Sequence, residues 1–235
     1  MFEWYLIIKK PYRAGRSVIK GAAKDVQLVC KIGKGALLKL LHRSDYKRWT
    51  DAHNLEPWWD TRTEKIAQLI PEGSRVIEFG AGRRQLEKLL NPIDSYIPSD
   101  LTSRGPGTVI CDLNQRPLPD LRYLGATMAV FGGVLEYILN LESLVQWLSD
   151  QFSFCVASYT CLVPALSDAE RVRERLARLR FGYMNSYTEA EFVHLFARYG
   201  FTCVKRNTWT NQTLFLFTIE RSAVPAPQSS NSNSN

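Results

Sequence analysis

The stretch that most constrains this chain is Val76-Ile77-Glu78-Phe79-Gly80-Ala81-Gly82. Arg75 to Phe79 reads as a short buried strand, and it runs straight into two glycines one residue apart. Glycine reaches backbone angles that other residues avoid and lets the main chain approach a ligand closely. Residues 84–90 read as a helix behind the turn, whose first N–H groups would be unpaired. A strand, a glycine turn and a helix in that order predict an α/β sheet that binds a nucleotide-like ligand at the strand end.

Two details narrow the ligand. A dinucleotide fingerprint needs a third glycine, and that position is Gln85. An acid, Glu78, stands directly before the glycines. A carboxylate there would repel a pyrophosphate, but it suits a ligand with a cationic amino-acid end.

The remaining periodicity extends the same architecture. Strand-like runs recur at Tyr96–Pro98, Thr108–Cys111, Thr127–Phe131, Phe154–Tyr159, Thr202–Lys205 and Leu214–Ile219. Helical patterns fall at Thr61–Ile70, Leu141–Asp150, Asp168–Arg180 and Glu189–Tyr199. Alternation of this kind implies a mostly parallel, seven-stranded sheet with helices on both faces. The last two strands are joined only by Trp209-Thr210-Asn211-Gln212, so they should close the sheet as an antiparallel hairpin.

Charge divides the chain. Residues 1–50 hold twelve Lys or Arg against three Asp or Glu, whereas the whole protein carries only +7. Residues 16–42 read as a basic helix with Ile19, Ala22, Val26, Val29, Cys30, Leu37, Leu40 and Leu41 on one broad face. Lys20, Lys24, Lys31, Lys34 and Lys39 occupy another. Such a helix either lies on an anionic membrane surface or packs on the domain as a lid. We therefore expect residues 1–56 to form a basic extension, 57–221 the catalytic domain and 222–235 a disordered tail. No run of ~18 apolar residues exists, and the start lacks the layout of a signal peptide. The expected location is the cytoplasm, with peripheral contact at the inner face of the membrane. Five cysteines without CxxC spacing or a zinc-like Cys/His cluster fit a reducing compartment and no metal.

Four ordered segments resemble the motifs of the class I S-adenosylmethionine (SAM)-dependent methyltransferases. They are VIEFGAG (76–82), YIPSDL (96–101), VICDLNQRPLPD (109–120) and MAVFGGVLEYI (128–138). The likeness is to small bacterial members of the polysaccharide and natural-product type. It implies a Rossmann-like fold and SAM as cofactor, with S-adenosylhomocysteine as product. It also implies roles for individual residues. Glu78, Gly80, Ala81 and Gly82 would cradle the methionine end. Asp100 and Leu101 would hold the ribose, and Asp112 and Leu113 the adenine. Gly132 and Gly133 would line the strand end near the sulfonium. The chain departs from the family pattern at Tyr137, where a histidine is frequent.

Methyl transfer to oxygen needs an aligned nucleophile and, where that nucleophile still carries its proton, a base. The candidates are His53, Glu136 and Tyr137, with Tyr159 behind them. Trp58, Arg62, Tyr159, Tyr183 and Asn185 form the candidate acceptor site. Their aromatic faces, hydroxyls and amides suit a sugar and lead to a metal-independent glycan O-methyltransferase, with a lipid-linked glycan as one form. A small lipophilic or aromatic metabolite is the alternative acceptor, and a binding protein that has lost catalysis is a third reading. Nucleic acid is disfavoured, because no aromatic-rich basic signature accompanies the charge.

Overall fold

The computed structural model describes residues 25–91 and 95–220. The expectations for the first 24 residues and for the tail beyond 220 lie outside them. A helix, α1, runs over residues 25–40. It is followed by α2 (Tyr46–Thr50), two short 3-10 turns and α3 (Asp60–Ala67). Then come β1 (Arg75–Phe79), β2 (Ser95–Asp100), β3 (Val109–Ile110) and β4 (Met128–Phe131). The chain continues through α4 (Leu141–Gln151), β5 (Phe154–Tyr159), α5 (Asp168–Phe181) and α6 (Glu189–Ala197). It closes with β6 (Thr202–Trp209) and β7 (Gln212–Thr218).

The strands form one sheet in the order β3-β2-β1-β4-β5-β7-β6. β1 to β5 are parallel, and β7 runs antiparallel to both β5 and β6. The expected seven-stranded sheet with a terminal hairpin is therefore present. Thr210, at φ +50, and Asn211 make the two-residue turn of that hairpin.

Side chains alternate strictly across the sheet, as a two-residue period requires. Ile77, Phe79, Ala129, Phe131, Cys155, Ala157, Phe215 and Phe217 face a core completed by α4 and α6. Val76, Met128, Val130, Val156, Leu214 and Leu216 face the other side, where Ile66 of α3 and Leu69 cover them. Glu78 has the parity of this second face. Local chemistry fixes the helix starts: Ser167 with Glu170 and Thr188 with Glu191 form reciprocal capping boxes for α5 and α6.

One expectation fails. Residues 84–90 are not an α-helix but turns with a 3-10 segment at Leu86–Lys88. Arg84 has φ +56, which breaks any helix that started at the glycines. Its guanidinium bonds the Glu87 carboxylate at 2.9 and 2.7 Å and donates to the Pro106 carbonyl at 2.9 Å. The glycine loop therefore has no helix N-terminus behind it.

Candidate active site

The strand order reverses direction between β1 and β4, which places a crevice at their carboxyl ends. A cleft of about 1080 Å³, counted to its open mouth, occupies that position. Its floor comes from β1, β2, the turn after β3 and the end of β4. Glu78, Gly80, Ala81, Gly82, Asp100, Leu101, Asp112, Leu113, Gly132 and Gly133 all line it. One wall comes from the segment ahead of the sheet, through Ser44, Trp49, Leu55, Trp59 and Asp60.

Glu78 is buried at the floor. Tyr96, on the neighbouring strand, donates its hydroxyl to Oε2 of Glu78 at 2.6 Å. Oε1 has no hydrogen-bond partner among the described residues. Burial raises the Glu78 pKa to about 8, against the lowering effects of the Tyr96 hydrogen bond and the Arg62 charge. The carboxyl is thus protonated at neutral pH and would ionise beside a bound cation.

Asp100 organises the loop above it. Its Oδ2 accepts the Gly82 N–H at 2.9 Å and its Oδ1 accepts the Leu101 N–H at 2.7 Å. Arg104 lies against it, Nε 3.1 Å from Oδ2, and donates Nη2 to the Trp49 carbonyl at 2.6 Å. One arginine therefore links the floor to the wall. Asp112 accepts the Asn114 N–H at 2.9 Å, which fixes the turn that presents Leu113 to the cleft.

Gly80 sits at φ +72, and a Cβ there would lie 2.6 Å from Cγ2 of Val134, another residue lining the cleft. Gly80→Ala should cost stability through strain and collision, on the order of 1–2 kcal/mol, and should close part of the floor. Gly73→Ala is the control, because Gly73 shares a positive φ of +77 but has nothing within 4 Å of a Cβ. Thermal melts with and without S-adenosylhomocysteine should show ligand stabilisation lost in the first variant and kept in the second.

The expected catalytic and acceptor residues separate in the structure. Tyr137 lines the cleft, with its ring 4.5 Å from Trp49 and 5.5 Å from Tyr183. Burial holds its phenol well above the usual range. Glu136 is fully buried behind the cleft. Its Oε1 accepts the Thr160 N–H at 2.9 Å, and desolvation raises its pKa. His53 stands outside, its side chain 97% exposed and its Nδ1 2.9 Å from Asp51.

Arg62 reaches the cleft, but as a buried strut. It donates to the Gly132 carbonyl at 2.9 Å and to Oε1 of Gln212 at 3.2 Å. Trp58 is exposed and stacks on Trp209 at 4.8 Å. Tyr159 donates its hydroxyl to Asn185 at 2.6 Å, and Asn185 donates onward to the carbonyls of Leu135 and Ile138. Tyr183 packs behind Tyr137, 3.3 Å from the Thr160 hydroxyl. Trp58, Tyr159, Tyr183 and Asn185 therefore do not line the cleft.

Trp49, Tyr96 and Arg104 were not legible as site residues. Tyr96 shares a sheet face with Glu78, a signal that appears only once β2 is registered on β1. Arg104 follows Asp100 by one helical turn of sequence, in a loop without periodicity. Trp49 precedes the sheet and is brought over the cleft by tertiary packing alone.

Strand order, hairpin and cleft position together define the fold of the class I SAM-dependent methyltransferases. No protein-family model matches the sequence, and no curated protein matches it significantly. Solved structures do match in fold. The mitomycin 7-O-methyltransferase MmcR superposes with a TM-score of 0.59 at 13% identity, over 83% of this chain and 66% of its own. Human N-acetylserotonin methyltransferase in complex with SAM gives 0.56 at 12% identity, over 74% and 56%. A Thermotoga maritima methyltransferase, described as a possible histamine N-methyltransferase, gives 0.51 at 13%, over 75% and 95%. The match thus spans roughly three-fifths of the length of the first two proteins.

Proposed function

We propose that the protein is a SAM-dependent methyltransferase acting on an oxygen of a small, planar, largely apolar acceptor. The observation that carries the cofactor reading is Glu78, a buried carboxyl with one oxygen unpartnered at the floor of a glycine-lined cleft. A pyrophosphate would hold that carboxyl neutral and gain no charge pairing from it, whereas the ammonium of SAM would favour its ionised form. Asp100 suits the ribose hydroxyls, Asp112 the adenine amine, and Leu113 a face of the adenine ring. The Gly132–Gly133 bend leaves room beside the strand end. When bound, SAM supplies an electrophilic methyl group on a sulfonium.

The acceptor reading rests on the wall. Trp49, Trp59 and Tyr137 bring aromatic faces to the cleft, joined by Leu55, Val134 and Ile138. Flat apolar surfaces of this kind hold planar ligands. Among the residues first expected to hold a sugar, the hydroxyl of Tyr159 and the amide of Asn185 are committed to each other and to backbone. They give a glycan no support, so the planar acceptor is preferred.

Burial keeps the Tyr137 phenol protonated at neutral pH, so it holds no free base there, and its role is to position the acceptor. Glu56 and Asp60 are the carboxylates that the wall brings to the cleft. Transfer would break the sulfur–methyl bond as the acceptor oxygen takes the methyl group, leaving S-adenosylhomocysteine, and the proton of that oxygen would pass to one of these carboxylates or to water. An acidic acceptor hydroxyl, such as a phenol, makes that transfer easy.

The test is an acceptor screen with radiolabelled SAM across phenols, other hydroxylated aromatics and glycans. Labelled phenolic product is expected, and Tyr137→Phe should keep kcat within roughly threefold, because a general base would contribute ~10²–10⁴-fold. Label transfer to glycans alone would overturn the acceptor reading. No binding of SAM by the folded protein would overturn the cofactor reading.

A further inference from the structure

The helix α1 is attached to the domain the wrong way round for a lid. Its contact with the body is a narrow stripe of Ile32, Gly35 and Leu38, spaced three residues apart. Gly35 is buried against the Leu179 carbonyl of α5, so close that any Cβ would collide with it. At 100° per residue, Val26, Val29, Leu37 and Leu40 lie on the opposite side. They are exposed, Val29 by 67% and Leu40 by 77%. An amphipathic helix in a globular protein normally turns that stripe inward. Here it faces away from the domain; Lys34 lies on its flank, and Lys31 and Lys39 lie on the same side as Gly35. The neighbouring α5 adds exposed Val172 and Leu176 beside exposed Arg173 and Arg180.

Charge selects the occupant. Residues 1–24 hold six Lys or Arg against one acid, and residues 25–50 six against two. A second copy of the chain, or residues 1–24 themselves, would bring cations onto cations. An anionic bilayer offers an apolar interior for the stripe and a negative surface that attracts the net positive charge of residues 1–50.

We propose that the outward face of α1 docks on an anionic lipid surface. The docking face is tied to the cleft wall: Lys34 pairs with Asp45 at 2.6 Å, one residue beyond Ser44, and Arg48 donates to the Phe181 carbonyl at the end of α5 at 3.0 Å. A docked helix therefore holds the wall segment next to the lipid surface.

The full chain should cosediment with vesicles of phosphatidylcholine mixed with phosphatidylglycerol, and not with phosphatidylcholine alone. Leu37→Ser combined with Leu40→Ser should lower the bound fraction tenfold or more, on the order expected for two lost apolar anchors. Binding of S-adenosylhomocysteine and the far-UV circular dichroism should stay unchanged in that variant. Lys31→Glu combined with Lys39→Glu, which leaves the stripe intact and lowers the net charge of residues 1–50 from +9 to +5, should weaken the preference for anionic lipid. Three results would overturn the proposal. The first is a wild type that ignores anionic vesicles. The second is vesicle binding indifferent to either pair of substitutions. The third is light scattering that finds a dimer which the serine pair dissociates, because that assigns the face to a second copy.

Discussion

Glu78→Gln should weaken binding of SAM and of S-adenosylhomocysteine by roughly 10- to 100-fold, the scale of one charge-assisted hydrogen bond in a buried site. The expected pH behaviour is more specific than the loss of affinity. With the Glu78 pKa raised to about 8, the free wild type holds a proton there at neutral pH. Binding a ligand ammonium should release it. Calorimetry at pH 7 in buffers of different ionisation enthalpy should therefore show proton release in the wild type and none from this site in the variant. Below pH 8 the wild-type affinity should rise by about tenfold per pH unit, and the variant should lack that slope.

Stability carries the opposite sign. The folded pKa exceeds the ordinary 4.5, so the folded state binds more protons than the unfolded chain between those values. The contribution of Glu78 is fully present below about 4.5 and is lost as pH rises through about 8. Glu78→Gln should therefore gain relative stability from pH 5 to pH 8, seen as a converging or crossing pair of Tm curves. A variant with unchanged affinity and an unchanged pH slope would remove Glu78 from the site.

Arg62→Met should cost roughly 3 kcal/mol, among the largest single effects expected in this chain. Arg62 is buried, and its guanidinium holds the Gly132 carbonyl and the Gln212 amide oxygen. It lies 5.6 Å from the ring of Trp59 and 5.4 Å from that of Trp209. Burial pulls its pKa down, while the field of Glu136 pulls it up. Methionine keeps the stem and the volume but donates nothing. It strands a carbonyl, an amide oxygen and the buried Glu136 carboxyl together. Chemical denaturation should report the loss, and Arg62→Lys should restore only part of it, because an ammonium lacks the planar fork. The cleft should suffer too, since Gly132 and Gly133 end β4 directly against this guanidinium. A fully stable Arg62→Met would show that the strut is dispensable.

The division between what was readable and what was not follows interaction range. The sequence by itself determined the sheet and the floor of the cleft. Hydrophobic alternation marked the strands, the short link over Trp209–Gln212 marked the hairpin, and the Glu78-to-Gly82 turn and Asp100 marked the strand ends. Each of these is a feature of a few consecutive residues, and strand ends must meet at one edge of a parallel sheet. Residues 84–90 carry a helical pattern, yet Arg84 takes a left-handed conformation, held by partners at Glu87 and Pro106, and no α-helix forms there. Only the tertiary structure decided the wall. Tyr159 and Asn185 have the chemistry of a sugar site, yet packing turned them to each other. Trp49 has no local signal, yet Arg104 holds its backbone above Asp100. The same is true of α1: its periodicity revealed an apolar face, but only the crossing of Gly35 over Leu179 showed that this face points away from the protein. Local sequence fixes which surfaces an element has, and long-range packing fixes where they point.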